Sequence, residues 1–141
     1  MRPFSLLFRY AWASPATAVG LLFSIVAVLA GATPRVVHGV IEVGGGHLGR
    51  LMAALPSCAR FGAITFGHVV IALDHRLLRR VRAHELVHVQ QYERWGVLFF
   101  PLYATSSLVQ LVRGRHPYLD NVFEREAYGK TSAVDGSHIS H

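Results

Sequence analysis

The sequence predicts an α+β fold: a small β-sheet packed on helices, with an apolar helix in front of it. Three observations lead there. Tyr10 to Pro34 carries no charge, Val36 to Leu73 reads as short β-type runs broken by glycine and proline, and from Asp74 onward the apolar period becomes helical. With 141 residues the chain has room for one modest core and not for two.

The first element is the uncharged stretch containing "AVGLLFSIVAVLAGA", with Arg2 and Arg9 before it and Arg35 after it. A helix needs about twenty apolar residues to cross the hydrocarbon core of a bilayer, and this window is long enough, although Pro15, Gly20 and Gly31 shorten its best part. A composition with 52% hydrophobic and 16% charged residues and a mean hydropathy of +0.35 also favours membrane contact. A secretory signal is the rival reading, because Ala30-Gly31-Ala32 has the small-x-small form of a cleavage site and removal after Ala32 would follow. The uncharged stretch outlasts a usual signal core, so the expectation is a retained single-pass anchor over residues 1–34; a buried core helix is the third option. Arginines flank the segment evenly, which leaves its orientation open.

The second part reads as strands. "RVVHGVIEV" and "FGAITFGHVVIAL" are β-type runs, separated by the punctuated stretch "GGGHLGRLMAALPSCAR". Alternation in the second run puts Ile64, Phe66, His68 and Val70 on one side, and Ala63, Thr65, Gly67, Val69 and Ile71 on the other. His68 then lies on an apolar face, where a hydrogen-bonded structural histidine is the plain expectation and a donor to a reacting group the functional one. The lone cysteine, Cys58, rules out an intramolecular disulfide and reads as a small buried apolar residue.

From Asp74, a plausible N-cap, a helix is expected to run to a stop at Gly96. At about 100° per residue, Leu77, Val81, His84, Glu85, His88, Tyr92 and Trp95 share one face, while Arg76, Arg79, Arg82, Gln90, Glu93 and Arg94 take the other. Next comes "VLFFPLYATSSLVQLVRG". Pro101 fits a first turn, and Tyr103, Ser106, Ser107 and Gln110 form one narrow polar stripe on an otherwise apolar cylinder, a helix that is either buried or lies against lipid. After a turn at Pro117, "NVFEREAY" reads as a helix capped by Asp120 or Asn121, and residues 131–141, with His138 and His141, read as a loose polar tail. The formal net charge of +6 raises the question of nucleic acid. Only Arg76, Arg79, Arg80 and Arg82 cluster, and no basic-aromatic stripe accompanies them, so nucleic acid is not an expected partner.

The chemistry concentrates in "HELVH". His84 and His88 are one helical turn apart, about 6 Å along the axis, so both imidazoles can reach a single ion. Zinc takes imidazole nitrogen readily, and a catalytic zinc has three protein ligands with the fourth position left for water. Glu85 then sits beside that water as a general base. Two histidines and an acid on a helix's inward face need partners to offset their desolvation, and a metal supplies partners for all three. The third ligand should come from downstream, where Glu124 lies with Asn121, Ala127 and Tyr128 while Glu126 points about 200° away; Glu124 is the candidate.

"HELVH" followed by a helix carrying "FEREAY" resembles the gluzincin metallopeptidases, in which the two histidines are completed by a glutamate in an E-x-x-A-D or E-x-x-S-D setting. Integral-membrane gluzincins that process prenylated or membrane proteins are similar in pattern, as are small bacterial proteins of unassigned function with an apolar N-terminus. The resemblance implies a minimal zincin-like fold over residues 35–130, one Zn2+ on His84, His88 and Glu124, and Glu85 as the catalytic acid. Tyr128 stands where those families place the aspartate that orients a ligand histidine, so Asn121 or Asp120 would take over that work. It also implies a strand beside the active helix that binds peptide by strand addition, here "AITFGHVVI". His68, Tyr92, Tyr103 and Tyr128 are candidate transition-state donors.

Three functions follow as expectations: a membrane-anchored zinc metallopeptidase acting on a peptide or protein, a non-catalytic protein whose zinc staples two helices, and a metal-free interaction protein. The first is favoured, because a purely structural site has no use for Glu85 beside an open position.

Overall fold

A computed structural model of the chain describes residues 3–55 and 62–137. Cys58, His138 and His141 lie outside them. The fold is α+β, as expected. Helix α1 (Pro3–Leu29) leads into strands β1 (Thr33–Val37) and β2 (Val40–Gly44), followed by a short helix α2 (Leu48–Ala53). Strands β3 (Ala63–Phe66) and β4 (Val69–Ala72) precede α3 (His75–Trp95), α4 (Phe99–Val112) and α5 (Val122–Ser137). The stretch read as punctuation between the two β runs thus contains α2, which sends Leu48 into the core.

Each β run is a hairpin and not one strand. His38 and Gly39 both have positive φ, 51° and 76°, as a tight two-residue turn between twisted strands requires, and Gly67 opens the second turn at φ 58°. The sheet order is β1-β2-β4-β3, with β2 and β4 parallel and the other pairs antiparallel. Folding back at Gly67 and His68 changes the expected alternation. Thr65 pairs with Val70 and Phe66 with Val69, so Thr65 shares a face with Val70 and Ala72, and His68 sits in the turn, on neither face.

The sheet is the middle layer of the molecule. One face packs Ile41, Val43, Ile64, Val69 and Ile71 with Ala27, Ala32 and Leu48; the other packs Val40, Val70 and Ala72 with Leu78 and Val89 of α3. Helix α1 presents a stripe of small residues inward: Ala13, Ala16, Gly20, Ser24 and Ala27, with the four that carry side chains all buried. At Gly20 a Cβ would meet the Cβ of Val69 at 2.7 Å and that of Phe66 at 2.9 Å. The boundary expected at residue 34 therefore falls within one packed unit, since α1 supplies a layer of its core.

Helix α3 starts where Asp74 accepts the Leu77 amide at 2.8 Å and stops at Gly96, where φ is positive and the lack of a Cβ leaves room for the Trp12 ring. It is wedged between the sheet, α1 and α5, so residues assigned to its outer face also turn inward. Arg82 clamps buried Glu42 with two hydrogen bonds of 2.7 and 2.9 Å, and Glu93 meets His68 and Arg9. Helix α5 continues to Ser137, past Lys130 where a loose tail was expected. Thr131 and Ser132 bond back to the carbonyls of Ala127 and Tyr128, so their hydroxyls are satisfied inside the helix.

Candidate metal centre

His84 and His88 project from α3, and Glu124 from the first turn of α5, so that one donor atom of each lies within 4.8 Å of the others. Asn121 fixes the start of α5: its Oδ1 accepts the Phe123 amide at 2.9 Å, and its Nδ2 donates to Ser107 Oγ and the Tyr103 carbonyl of α4. The separations within the cluster are 3.0 Å from His84 Nε2 to Glu124 Oε2, 3.2 Å between the two Nε2 atoms, and 3.3 Å from His88 Nε2 to Glu124 Oε1. Ligands about 2.0–2.1 Å from a tetrahedral zinc stand about 3.3 Å apart, so the donor set and its spacing fit such an ion.

The hydrogen-bond pattern around His88 assigns its tautomer. Gln91, buried on α3, uses both amide hydrogens on the Phe123 carbonyl (3.0 Å) and Glu126 Oε2 (2.9 Å), which leaves its Oε1 to accept at 2.8 Å from His88 Nδ1. His88 therefore carries a proton on Nδ1 in either charge state, so that its Nε2, facing the cluster, is the nitrogen that gains or loses the second proton. His84 has no such support: its buried Nδ1 finds no hydrogen-bond partner among the described residues, and the Tyr128 ring lies 4.5 Å from its own. The orienting role expected of Asn121 or Asp120 thus falls to Gln91, and at the other histidine an aromatic contact stands in its place.

Tyr103 reaches across from α4 and donates to Glu124 Oε1 at 2.6 Å. Burial pushes the Glu124 carboxyl up, but hydrogen bonds from His84, His88 and Tyr103 outweigh it and hold the group well below the usual carboxylate range. Burial likewise pushes His88 down. The hydrogen bond and charge of Glu124, with Gln91 and Glu85 adding, raise it above an ordinary imidazole.

Glu85 is buried beside the cluster, its Oε2 accepting from the Thr65 hydroxyl at 2.7 Å. A cavity of about 440 Å³ opens here, lined by Glu85, His88 and Glu124 together with apolar residues that include Ile64, Phe66 and Phe100. Strand β3 forms its rim as the outermost strand of the sheet. Tyr92 lines the same cavity from α3.

His68 is not part of this site. Its ring stacks on Tyr10 at 4.1 Å and bonds Glu93 at 3.0 Å, on the wall of a separate cavity of about 990 Å³ between α1 and α3. The turn at Gly67 is the reason. Three contributors escape sequence reasoning: Gln91, Thr65 and Tyr118, whose side chain lines the cavity and whose hydroxyl stands 3.5 Å from that of Tyr128. The neighbouring glutamines in "HVQQ" signal a polar pair on α3, but choosing the inward one requires the position of α5. Glu126, expected to point away from Glu124, does so, and still meets Gln91 from the side.

The arrangement defines a class by its chemistry: an α+β domain that carries a candidate three-residue metal-binding group. No family model, curated protein or solved structure matches the chain.

Proposed function

We propose that the chain is a membrane-associated zinc-dependent peptidase of gluzincin type, with His84, His88 and Glu124 as ligands and Glu85 as general base. The observation that carries this reading is the buried Glu85 carboxylate, placed at a roomy cavity beside the ligand cluster. Zinc held by His84, His88 and Glu124 would supply Lewis acidity and make a bound water more acidic. Glu85, held at Oε2 by Thr65, offers Oε1 to take the proton of the attacking water and pass it to the leaving amine. Tyr103 orients Glu124, and Tyr118 and Tyr128 are the phenol donors suited to a developing oxyanion. The outer edge of β3 suits an extended peptide added as a further strand, with apolar side chains entering the cavity.

The membrane part of the reading rests on α1, whose Ser5–Leu29 segment is long and apolar enough to cross a bilayer. Cleavage after Ala32 would strip Ala13, Ala16, Ala27 and Ala32 from the core, which argues for a retained helix. A structural zinc is the second reading, favoured by the ligands' origin on two helices that the ion would staple.

Detergent-purified wild type is expected to hold about one zinc and to cleave unfolded casein or a peptide library. Glu85→Gln should keep the zinc and lose roughly 10²–10⁴-fold in rate, and His88→Ala should lose the zinc. Zinc without Glu85-dependent hydrolysis would establish the structural reading; no stoichiometric metal would sink both.

A further inference from the structure

We infer that α4 is a second lipid-facing helix, so that the domain meets the bilayer along α1 and α4 together and not through an N-terminal tether alone. This extends the membrane association proposed above and rests on it. The direction in which α4 turns its residues carries it. In a water-soluble domain the polar stripe of a helix faces solvent and the apolar one faces the core. Helix α4 does the opposite.

Its polar stripe points inward. Tyr103 bonds Glu124, Ser107 Oγ accepts from Asn121, Ser106 Oγ accepts the Val122 amide at the start of α5, and Gln110 is buried even though its Oε1 finds no partner among the described residues. Its outward side is aliphatic apart from Thr105: Leu108, Leu111 and Val112 are 60%, 58% and 81% exposed, with Leu102 and Val109 beside them. An exposed face so rich in leucine and valine is costly in water and favoured in hydrocarbon, where a lone threonine is readily tolerated.

Helix α1 is built the same way, with small residues inward and Leu22, Ile25, Val26 and Leu29 outward. The two helices join at the start of α4, where Ala13 and Ala16 pack with Phe99, and Phe23, Phe66 and Phe100 form a chain of ring contacts from α1 to α4. Charges stay at the ends. Trp95 to Val112 contains none, while Arg94, stacked on Trp95 at 5.2 Å, precedes it and exposed Arg113 and Arg115 follow, the placement expected of side chains at headgroup level. The partner these features fit is the acyl region of a bilayer. A second copy of the chain is the rival occupant.

The test uses the full chain in a Cys58→Ser background, with single cysteines at Leu108 and Val112 (α4), Leu22 and Val26 (α1) and Ser132 (α5), each spin-labelled and reconstituted in phosphatidylcholine–phosphatidylglycerol vesicles. Labels at 108 and 112 are expected to be relaxed by oxygen and shielded from a water-soluble nickel chelate, as at 22 and 26, with the reverse at 132. Nickel access at 108 and 112 with shielding kept at 22 and 26 would overturn the inference while sparing the α1 anchor. Spin–spin broadening at 108 or 112 would overturn it in favour of a second copy. Nickel access at all five positions would remove membrane association itself.

Discussion

Gln91 shows how much of the candidate site depends on one amide. It accepts from His88, and its two N–H groups hold the backbone of Phe123 and the side chain of Glu126, on either side of the candidate ligand Glu124. A single side chain therefore orients the ring of one candidate ligand and holds the helix that brings another. Partners of this kind are typically worth 10–100-fold in metal affinity. Gln91→Met, similar in size but without the amide, is expected to weaken zinc binding by roughly that factor in a chelator competition, with most of the fold intact. Affinity unchanged from wild type would show that packing alone holds the ligands. That His84, His88 and Glu124 would come together as a candidate metal-binding group is legible in the sequence, because one-turn spacing on α3 and the phase of α5 are local helical geometry. Gln91 and Thr65 are not, since one depends on where α5 docks and the other on a chain reversal.

At the level of elements, the strands and α1 make the same point about what local pattern can reveal. Both β runs are visible, but Gly67-His68 and His38-Gly39 lack the asparagine or aspartate that marks a two-residue turn most strongly, so alternation carried through Gly67 puts His68 on a face it does not occupy. The apolar character of α1 is equally plain, yet hydropathy does not separate a helix in lipid from one against a sheet. The small-residue stripe does, and it gives a prediction with an internal control. Gly20→Val puts methyl groups into Val69 and Phe66 and is expected to destabilise the fold by about 1–3 kcal/mol. Leu22→Asn, on the exposed side, should leave unfolding nearly unchanged and weaken retention on vesicles instead. Equal unfolding curves for Gly20→Val and wild type would mean that α1 is not packed on the sheet in solution.

For the whole molecule, the centre links protonation, metal and stability, and the signs can be worked out. In the metal-free protein, Glu124 is depressed, so its contribution is present above the ordinary glutamate value near 4.3 and fades as pH falls through and below it. His88 is raised, so its contribution is full below the ordinary imidazole value near 6.5 and is lost as pH climbs through its higher folded value. The metal-free protein should therefore be most resistant to heat between those limits and weaken on both sides. Zinc on the proposed ligands would require the opposite state of His88, neutral at Nε2, so the ion would replace the proton that stabilises the metal-free cluster. Free zinc at about 100 times its dissociation constant adds about 2.7 kcal/mol, on the order of 10 °C in a domain of this size. At a fixed zinc concentration that increment should grow from pH 5.5 to pH 8, as protons cease to compete and the metal-free form loses its His88–Glu124 pair. Thermal unfolding in detergent across that range, with zinc and with chelator, measures both curves. An increment constant with pH would mean that zinc binds away from His88 and Glu124.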